Sequence, residues 1–224
     1  LTRALTLDEQ LKVNTVIVSH AHFDHVRDLA MAADNRCQVG APTLEVAGAK
    51  ATLDALRKHF FNDVLWPDFA KIPSGDGPTM RFRDLDLETP TSIAGYEITA
   101  VPVTHTIDAV GFFIRGPEGT LAFSGDTGPT NRFWEVCNAT ADLRSILLEV
   151  SFPDEHEEMA LTTGHLSPAL AVKELAKLDP SKLATKVYFH HLKPSFEKQT
   201  RDELARVDDR FSRVCRLDDE FEIG

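Results

Sequence analysis

A chain of 224 residues that is 42% hydrophobic and 26% charged can bury a substantial core, which excludes an intrinsically disordered polypeptide. Its formal net charge of -11 argues against an extended nucleic-acid surface, which would need a Lys/Arg excess along one face. No segment approaches the roughly 18 to 20 uninterrupted apolar residues of a membrane helix, so a soluble protein is expected. Cys37, Cys137 and Cys215 are odd in number and far apart, and read as small buried hydrophobes rather than a disulfide framework. The chain begins at Leu1 with no signal-peptide pattern, so the natural N-terminus is expected to lie upstream and the compartment is left open, with a cytoplasmic one weakly favoured.

In chain order, KVNTVIV (12 to 18) is β-branched and nearly continuous, the pattern of a buried strand. HVRDLAMAADN (25 to 35) predicts a short helix through Val26, Leu29, Ala30 and Ala33, and residues 51 to 60 a second. IPSGDGPTM (72 to 80) is turn-rich, after which the period changes. MRFRDLDLE alternates, YEITAVPVTH runs apolar into a histidine, and VGFFIRG and TLAFSGD flank the turn PEG, so strands fill 80 to 123. NRFWEVCNATADL is helical in part, and SILLEVSF (145 to 152) is another buried strand. SPALAVKELAKL predicts a helix capped by Ser167 with Pro168 at its first position. A strand over 186 to 191 and an amphipathic helix near Glu197 to Val207 complete the pattern, and the acidic run DEHEE (154 to 158) reads as a solvated loop. With no repeat or low-complexity linker, residues 1 to 224 are expected to form one α/β domain of stacked sheets flanked by helices.

The ends of the strong strands carry the chemistry: SHAHFDH at 19 to 25, VTH ending at His105, SGD ending at Asp126, and FHH at 189 to 191. Side chains converge at strand carboxyl ends because the chain leaves the packed layer there. His nitrogens and carboxylate oxygens are zinc ligands, and a pair of metals needs about three side chains each plus a bridging group, a demand this inventory meets. Alternation puts His20 and His22 on one side of an extended chain, while the following turn frees Asp24 and His25 to point elsewhere. Of His190 and His191, which point to opposite faces of a strand, only one can serve.

These motifs resemble the metallo-β-lactamase fold superfamily: HxHxDH at His20 to His25, then His105, Asp126 and His191. The resemblance implies an αββα sandwich with two divalent metal ions, zinc by ligand type. His20, His22 and His105 would hold one metal, Asp24, His25 and His191 the other, and Asp126 would bridge. Strands that precede the motif in this superfamily are not in this sequence. Within the superfamily the chain is most similar to class II cyclic-nucleotide phosphodiesterases, through HFFNDVLWPDFAKIPS (59 to 74), LLEVSF, GHLSP (164 to 168) and HHLKP (190 to 194). Phe23 stands where that family has Leu, and Arg27 and Asp28 also depart from its pattern.

The resemblance implies hydrolysis of a 3′,5′-cyclic nucleotide, cAMP being the expected substrate, to the 5′-nucleotide by a metal-bridging hydroxide. His165 is the candidate general acid, because it precedes a capped helix whose start could face a phosphate; Glu149 could orient its imidazole. Asp24 joins the catalytic set through the metal. Phe61, Trp66 and Phe69 are candidates for a base-stacking wall, with core packing the competing expectation, and His59 and His156 are assigned to the surface or to structure. A homodimer is left open. The competing readings are a ribonuclease Z-like nuclease, a lactonase or β-lactamase-type hydrolase, and a metal-stabilised binding domain without catalysis.

Overall fold

The computed structural model describes residues 4–75, 77–182 and 184–207, a range that leaves out Cys215. The chain divides into two compact units, Leu1–Thr89 and Pro90–Gly224, each built on its own sheet.

The first unit opens with helix α1 (Leu7–Lys12), which has no strong apolar period and rests instead on a capping box between Thr6 and Glu9. Strand β1 (Thr15–Val18) leads to helix α2 (Phe23–Val39), strand β2 (Leu44–Ala49) and helix α3 (Lys50–His59). A two-stranded ribbon, β3 (Pro73–Ser74) with β4 (Gly77–Pro78), precedes strand β5 (Met80–Leu85). The sheet is parallel in the order β1-β2-β5. Its central strand has the sequence LEVAGA, whose Ala and Gly content is poor in β-formers. Closeness of approach explains that content: a Cβ on Gly48 would meet the Val18 carbonyl oxygen at 3.0 Å and Leu53 of α3 at 3.4 Å. Helix α2 is longer than its apolar period suggested, because it already includes Phe23 and Asp24 and runs to a left-handed Gly40, whose N–H caps the carbonyls of Arg36 and Cys37. Val26, Leu29, Leu44, Val46, Leu53, Phe61, Phe69 and Met80 form the unit's core.

Arg36 is buried in this unit at 1% exposure, with no carboxylate among the described residues hydrogen-bonded to it. Its guanidinium donates to the carbonyls of Leu11 and Val13 and to the side-chain oxygen of Asn14, so it fastens the end of α1 to α2. Burial holds its pKa below the usual arginine value. Arg36→Met keeps much of the volume but leaves the half-buried Leu11 and Val13 carbonyls without this donor, and is expected to cost about 2 kcal/mol, within the 1–3 kcal/mol of a buried orphaned group. Urea unfolding would show a lower midpoint at constant m-value; an unchanged midpoint would dismiss the fastening role.

The second unit is a six-stranded sheet in the order β11-β10-β9-β8-β7-β6. Its strands are β6 (Thr91–Ile93), β7 (Tyr96–Pro102), β8 (Val110–Gly116), β9 (Gly119–Phe123), β10 (Leu143–Glu149) and β11 (Lys186–His190). Pairings from β6 to β9 are antiparallel, whereas β9–β10 and β10–β11 are parallel. Strands β7, β9, β10 and β11 therefore share one direction, and their carboxyl ends open at one edge of the sheet. Helices α4 (Arg132–Ala139), α5 (Glu157–Thr163), α6 (Pro168–Leu175) and α7 (Glu197–Val207) complete the unit. The core joins Phe113, Phe133, Trp134, Ile146, Leu148, Leu170, Phe189 and Leu204, and includes Cys137, whose thiol pKa burial raises; Cys37, in the first unit, is half-buried.

Two local expectations change. The acidic run is not a loop: 154 to 156 form a 3₁₀ turn continued by α5, and Asp154 accepts the Ala169 N–H at 2.7 Å. Ser167 caps α6 through the Leu170 N–H with Pro168 in the first turn, as its sequence predicts. With these amides bound to Ser167 and Asp154, the start of α6 is not an open anion site. No helix among the described residues is long and apolar enough to cross a membrane.

Candidate metal centre

In the first unit β1 ends at Val18 and the histidine-rich loop follows at once. Its direction is set by the next element: His22 is the N-cap residue of α2 and makes no side-chain capping bond, while Asp24 and His25 occupy the helix's first turn rather than a free turn. An acidic side chain there is favoured by the helix dipole alone, but the company it keeps is unusual. The fully buried His20 ring lies 4.8 Å from the His22 ring and 4.2 Å from that of His25, and His25 Nε2 is 3.9 Å from an Asp24 oxygen. The Ser19 hydroxyl sits 3.1 Å from His20 Nδ1, which leaves Nε2 as the nitrogen that could hold a metal.

Phe61 and Phe69, the candidates for a base-stacking wall, take the competing place in the core. They are 1% and 2% exposed, in the core, because the loop after α3 folds back through the Phe61–Trp66 bridge. Trp66 is half-buried against the same core. The aromatic ring that stands out to solvent in this unit is Phe23, 66% exposed and edge-on to Phe60, between His22 and Asp24 in sequence. His59 is exposed, and His156, in the second unit, packs on Phe196.

In the second unit the shared strand direction delivers four loops to one edge. His105 follows β7 and Asp126 follows β9, and the two loops are joined by the Gly128 N–H on the Thr104 carbonyl at 2.7 Å. Gly125, at φ 60°, makes the turn that brings Asp126 inward to 1% exposure. Glu149 is the last residue of β10, with Ser151 two positions beyond it, and His191 directly follows β11. His190, the last strand residue, stacks on Phe123 at 4.9 Å, whereas His191 leaves the strand in the left-handed region at φ 66°. Strand alternation therefore does not decide between them. A histidine in that conformation is uncommon and is held by its surroundings. His191 Nε2 comes within 3.3 Å of Asp126 Oδ2, the donor pair's distance in a tetrahedral shell of about 2.0–2.2 Å bonds.

The carbonyl of Gly164 lies 2.8 Å from His105 Nδ1, so Nδ1 carries the proton and Nε2 is the nitrogen that could hold a metal. Gly164 has φ 69°, and a Cβ there would meet His105 Nδ1 at 2.9 Å, which is why the smallest residue stands at this position. Ligand atoms of His105, Asp126 and His165 lie within 4.8 Å of one another, as do those of Glu149, His165 and His191. These imidazole and carboxylate donors, buried or half-buried, fit a borderline divalent ion such as zinc.

His165 Nδ1 is 2.9 Å from Glu149 Oε1, an oxygen that also receives the N–H groups of Thr127 (3.3 Å) and Leu166 (3.2 Å). Since Oε1 already accepts from two amides, the proton between it and His165 belongs to Nδ1. Burial first, then the Asp126 charge, push the Glu149 carboxyl well above its usual range; the Ser151 hydroxyl and the two amides oppose the shift. Ser151, which the sequence reading passed over, touches Glu149, His165 and His191. Nothing in SILLEVSF distinguishes it from an ordinary strand-end serine.

A family model for the beta-lactamase superfamily domain matches residues 2–191, and the chain belongs to that family. Its fold is the metallo-β-lactamase fold. The unliganded yeast PDE1 structure matches with a TM-score of 0.75 at 20% identity, covering 91% of this chain and 66% of that one. In sequence the chain is similar to a 3′,5′-cyclic-nucleotide phosphodiesterase of Aliivibrio fischeri, 28% identical over 186 residues, which cover 75% of this chain and 54% of that protein. It is also similar to a UPF0173 metal-dependent hydrolase of Pyrobaculum islandicum, 32% identical over 209 residues, covering 92% of this chain and 77% of that protein. The chain spans about half the length of the curated phosphodiesterases it matches.

Proposed function

We propose that this chain is a metal-dependent phosphodiesterase acting on 3′,5′-cyclic nucleotides, cAMP in the first instance, with two zinc ions. The ligand assignment is the one the sequence resemblance implies: His20, His22, Asp24, His25, His105, Asp126 and His191. The observation that favours phosphodiester chemistry over carbonyl chemistry is the Glu149–His165 pair among the second unit's metal-capable donors. A departing ribose alkoxide needs a proton, and an imidazole with Nδ1 fixed on a buried carboxylate can present one at Nε2. Bound metal ions supply Lewis-acid charge and an activated water.

The chain's own side chains do the rest. Glu149 holds His165 in one orientation and stabilises its protonated form. His165 gives the leaving oxygen its proton and recovers it from solvent. Asp24, exposed on the first turn of α2, acts as a metal-side carboxylate. Names of relatives support this substrate class, and the proximity of metal-capable donors supports the metal requirement.

The test is metal content by mass spectrometry, combined with release of 5′-AMP from cAMP before and after chelation and zinc restoration. Two zinc ions per chain and a chelator-sensitive activity are expected. Two metals with turnover of lactones but not phosphodiesters would overturn the substrate class while keeping the metal centre.

A further inference from the structure

Ser151 lies at the carboxyl edge of the second sheet, where its hydroxyl meets three of the candidate site residues. It is fully buried, and its Oγ lies 2.8 Å from His191 Nδ1, 3.1 Å from Glu149 Oε2, 3.2 Å from the His191 carbonyl oxygen and 3.3 Å from His165 Nδ1. A hydroxyl has one hydrogen and accepts with its lone pairs, so these contacts cannot all be donations. The Ser151 hydroxyl donates its one proton to Glu149 Oε2 at 3.1 Å, so its oxygen accepts at the shorter 2.8 Å contact, which puts the His191 ring proton on Nδ1 and turns Nε2 to Asp126 Oδ2 at 3.3 Å. The Nδ1–H then donates to Ser151 Oγ, and the serine proton goes on to Glu149 Oε2. The other carboxylate oxygen receives His165 Nδ1–H.

We propose that Ser151 is a positioning residue that joins the metal ligand His191 to the acid candidate His165 through the Glu149 carboxylate. One hydroxyl thereby fixes two imidazole tautomers, each with the proton on Nδ1 and Nε2 turned away from Glu149. The left-handed backbone of His191 serves the same end, since it brings both the ring Nδ1 and the carbonyl of that residue to Ser151. The chain Val150–Ser151 is itself pinned, by the Val150 N–H on the His190 carbonyl at 3.0 Å and by the Lys193 N–H on the Ser151 carbonyl at 3.1 Å. Ser151 is thus held by its backbone, and its side chain spends its hydrogen bonds on the two histidines and the glutamate.

The inference rests on the metallo-hydrolase reading for its consequence but not for its primary readout. In the metal-free protein, ¹⁵N chemical shifts of the imidazoles report the tautomers directly. Wild type is expected to show His191 with the proton on Nδ1; Ser151→Ala, which removes a single oxygen, is expected to move His191 toward a mixture of both forms. Ser151→Thr retains the hydroxyl and is expected to restore the wild-type signature. Zinc affinity, by competition with a chromophoric chelator, is expected to fall about 10- to 100-fold in Ser151→Ala. A His191 tautomer that is Nε2–H in wild type, or unchanged in Ser151→Ala, overturns the positioning role whatever the protein hydrolyses. Absence of zinc binding by wild type would instead overturn the proposed function, and the tautomer measurement would still decide the role of Ser151.

Discussion

His165→Ala is expected to lower kcat for cAMP hydrolysis by about 10²- to 10⁴-fold, the range for removing a general acid. Leaving-group basicity sets the size of the loss. A ribose oxygen departs as a strongly basic alkoxide, so breaking its bond to phosphorus without a proton donor leaves charge that a metal neutralises only in part. A p-nitrophenyl phosphodiester departs as a weak base and needs no such help, so the same variant should lose much less activity on it. The comparison separates acid catalysis from damage to the site, because a distorted metal centre would slow both substrates alike. His165 packs beside His105, ring centroids 5.1 Å apart, and beside His191 at 5.4 Å, so such damage has to be measured. Equal zinc content with equal losses on the two substrates would remove His165 from the acid role. Glu149→Gln should show the same substrate dependence in weaker form, since an amide oxygen still accepts from Nδ1 but does not stabilise the imidazolium.

The alternation and apolar runs of the sequence made most of this architecture legible. β8 is the stretch VGFFIRG, and α7 spans Glu197–Val207, because a continuous pattern with clear turn residues leaves little choice of register or length. The strand ends were legible for the same reason: an apolar run that stops at a histidine marks both the end of the strand and the start of its loop. What failed lay where tertiary contact overrides local preference. LEVAGA is a central strand because small residues let α3 and β1 approach it, a fact about neighbours that no window on the sequence contains. Phe61 and Phe69 are placed by the fold of one loop, and composition cannot tell a buried aromatic from an exposed one. The choice between His190 and His191 turns on one left-handed residue, and the importance of Ser151 on side chains 14 and 40 positions away. Periodicity carries no information about either.

Asp126→Asn is expected to remove activity below detection and to weaken zinc binding more than about a hundredfold, since loss of outer-shell partners alone costs 10- to 100-fold. The same substitution should affect folding in the opposite sense when no metal is present. Asp126 is 1% exposed, and its charge is the second cause, after burial, that raises the Glu149 carboxyl. Two buried carboxylates near each other destabilise the metal-free fold, and an uncharged amide of the same shape relieves that repulsion. Metal-free Asp126→Asn should therefore unfold in urea at a midpoint equal to or above that of metal-free wild type. Zinc at a thousand times its dissociation constant would stabilise wild type by about 4 kcal/mol per site and the variant by far less, so the order of stability reverses when the metal is added. A variant less stable than wild type without metal would show that Asp126 acts mainly through its hydrogen bonds. A variant that still gains the full zinc stabilisation would show that it is no ligand. The expected reversal is the mark of a residue retained for the metal at a cost to the empty fold.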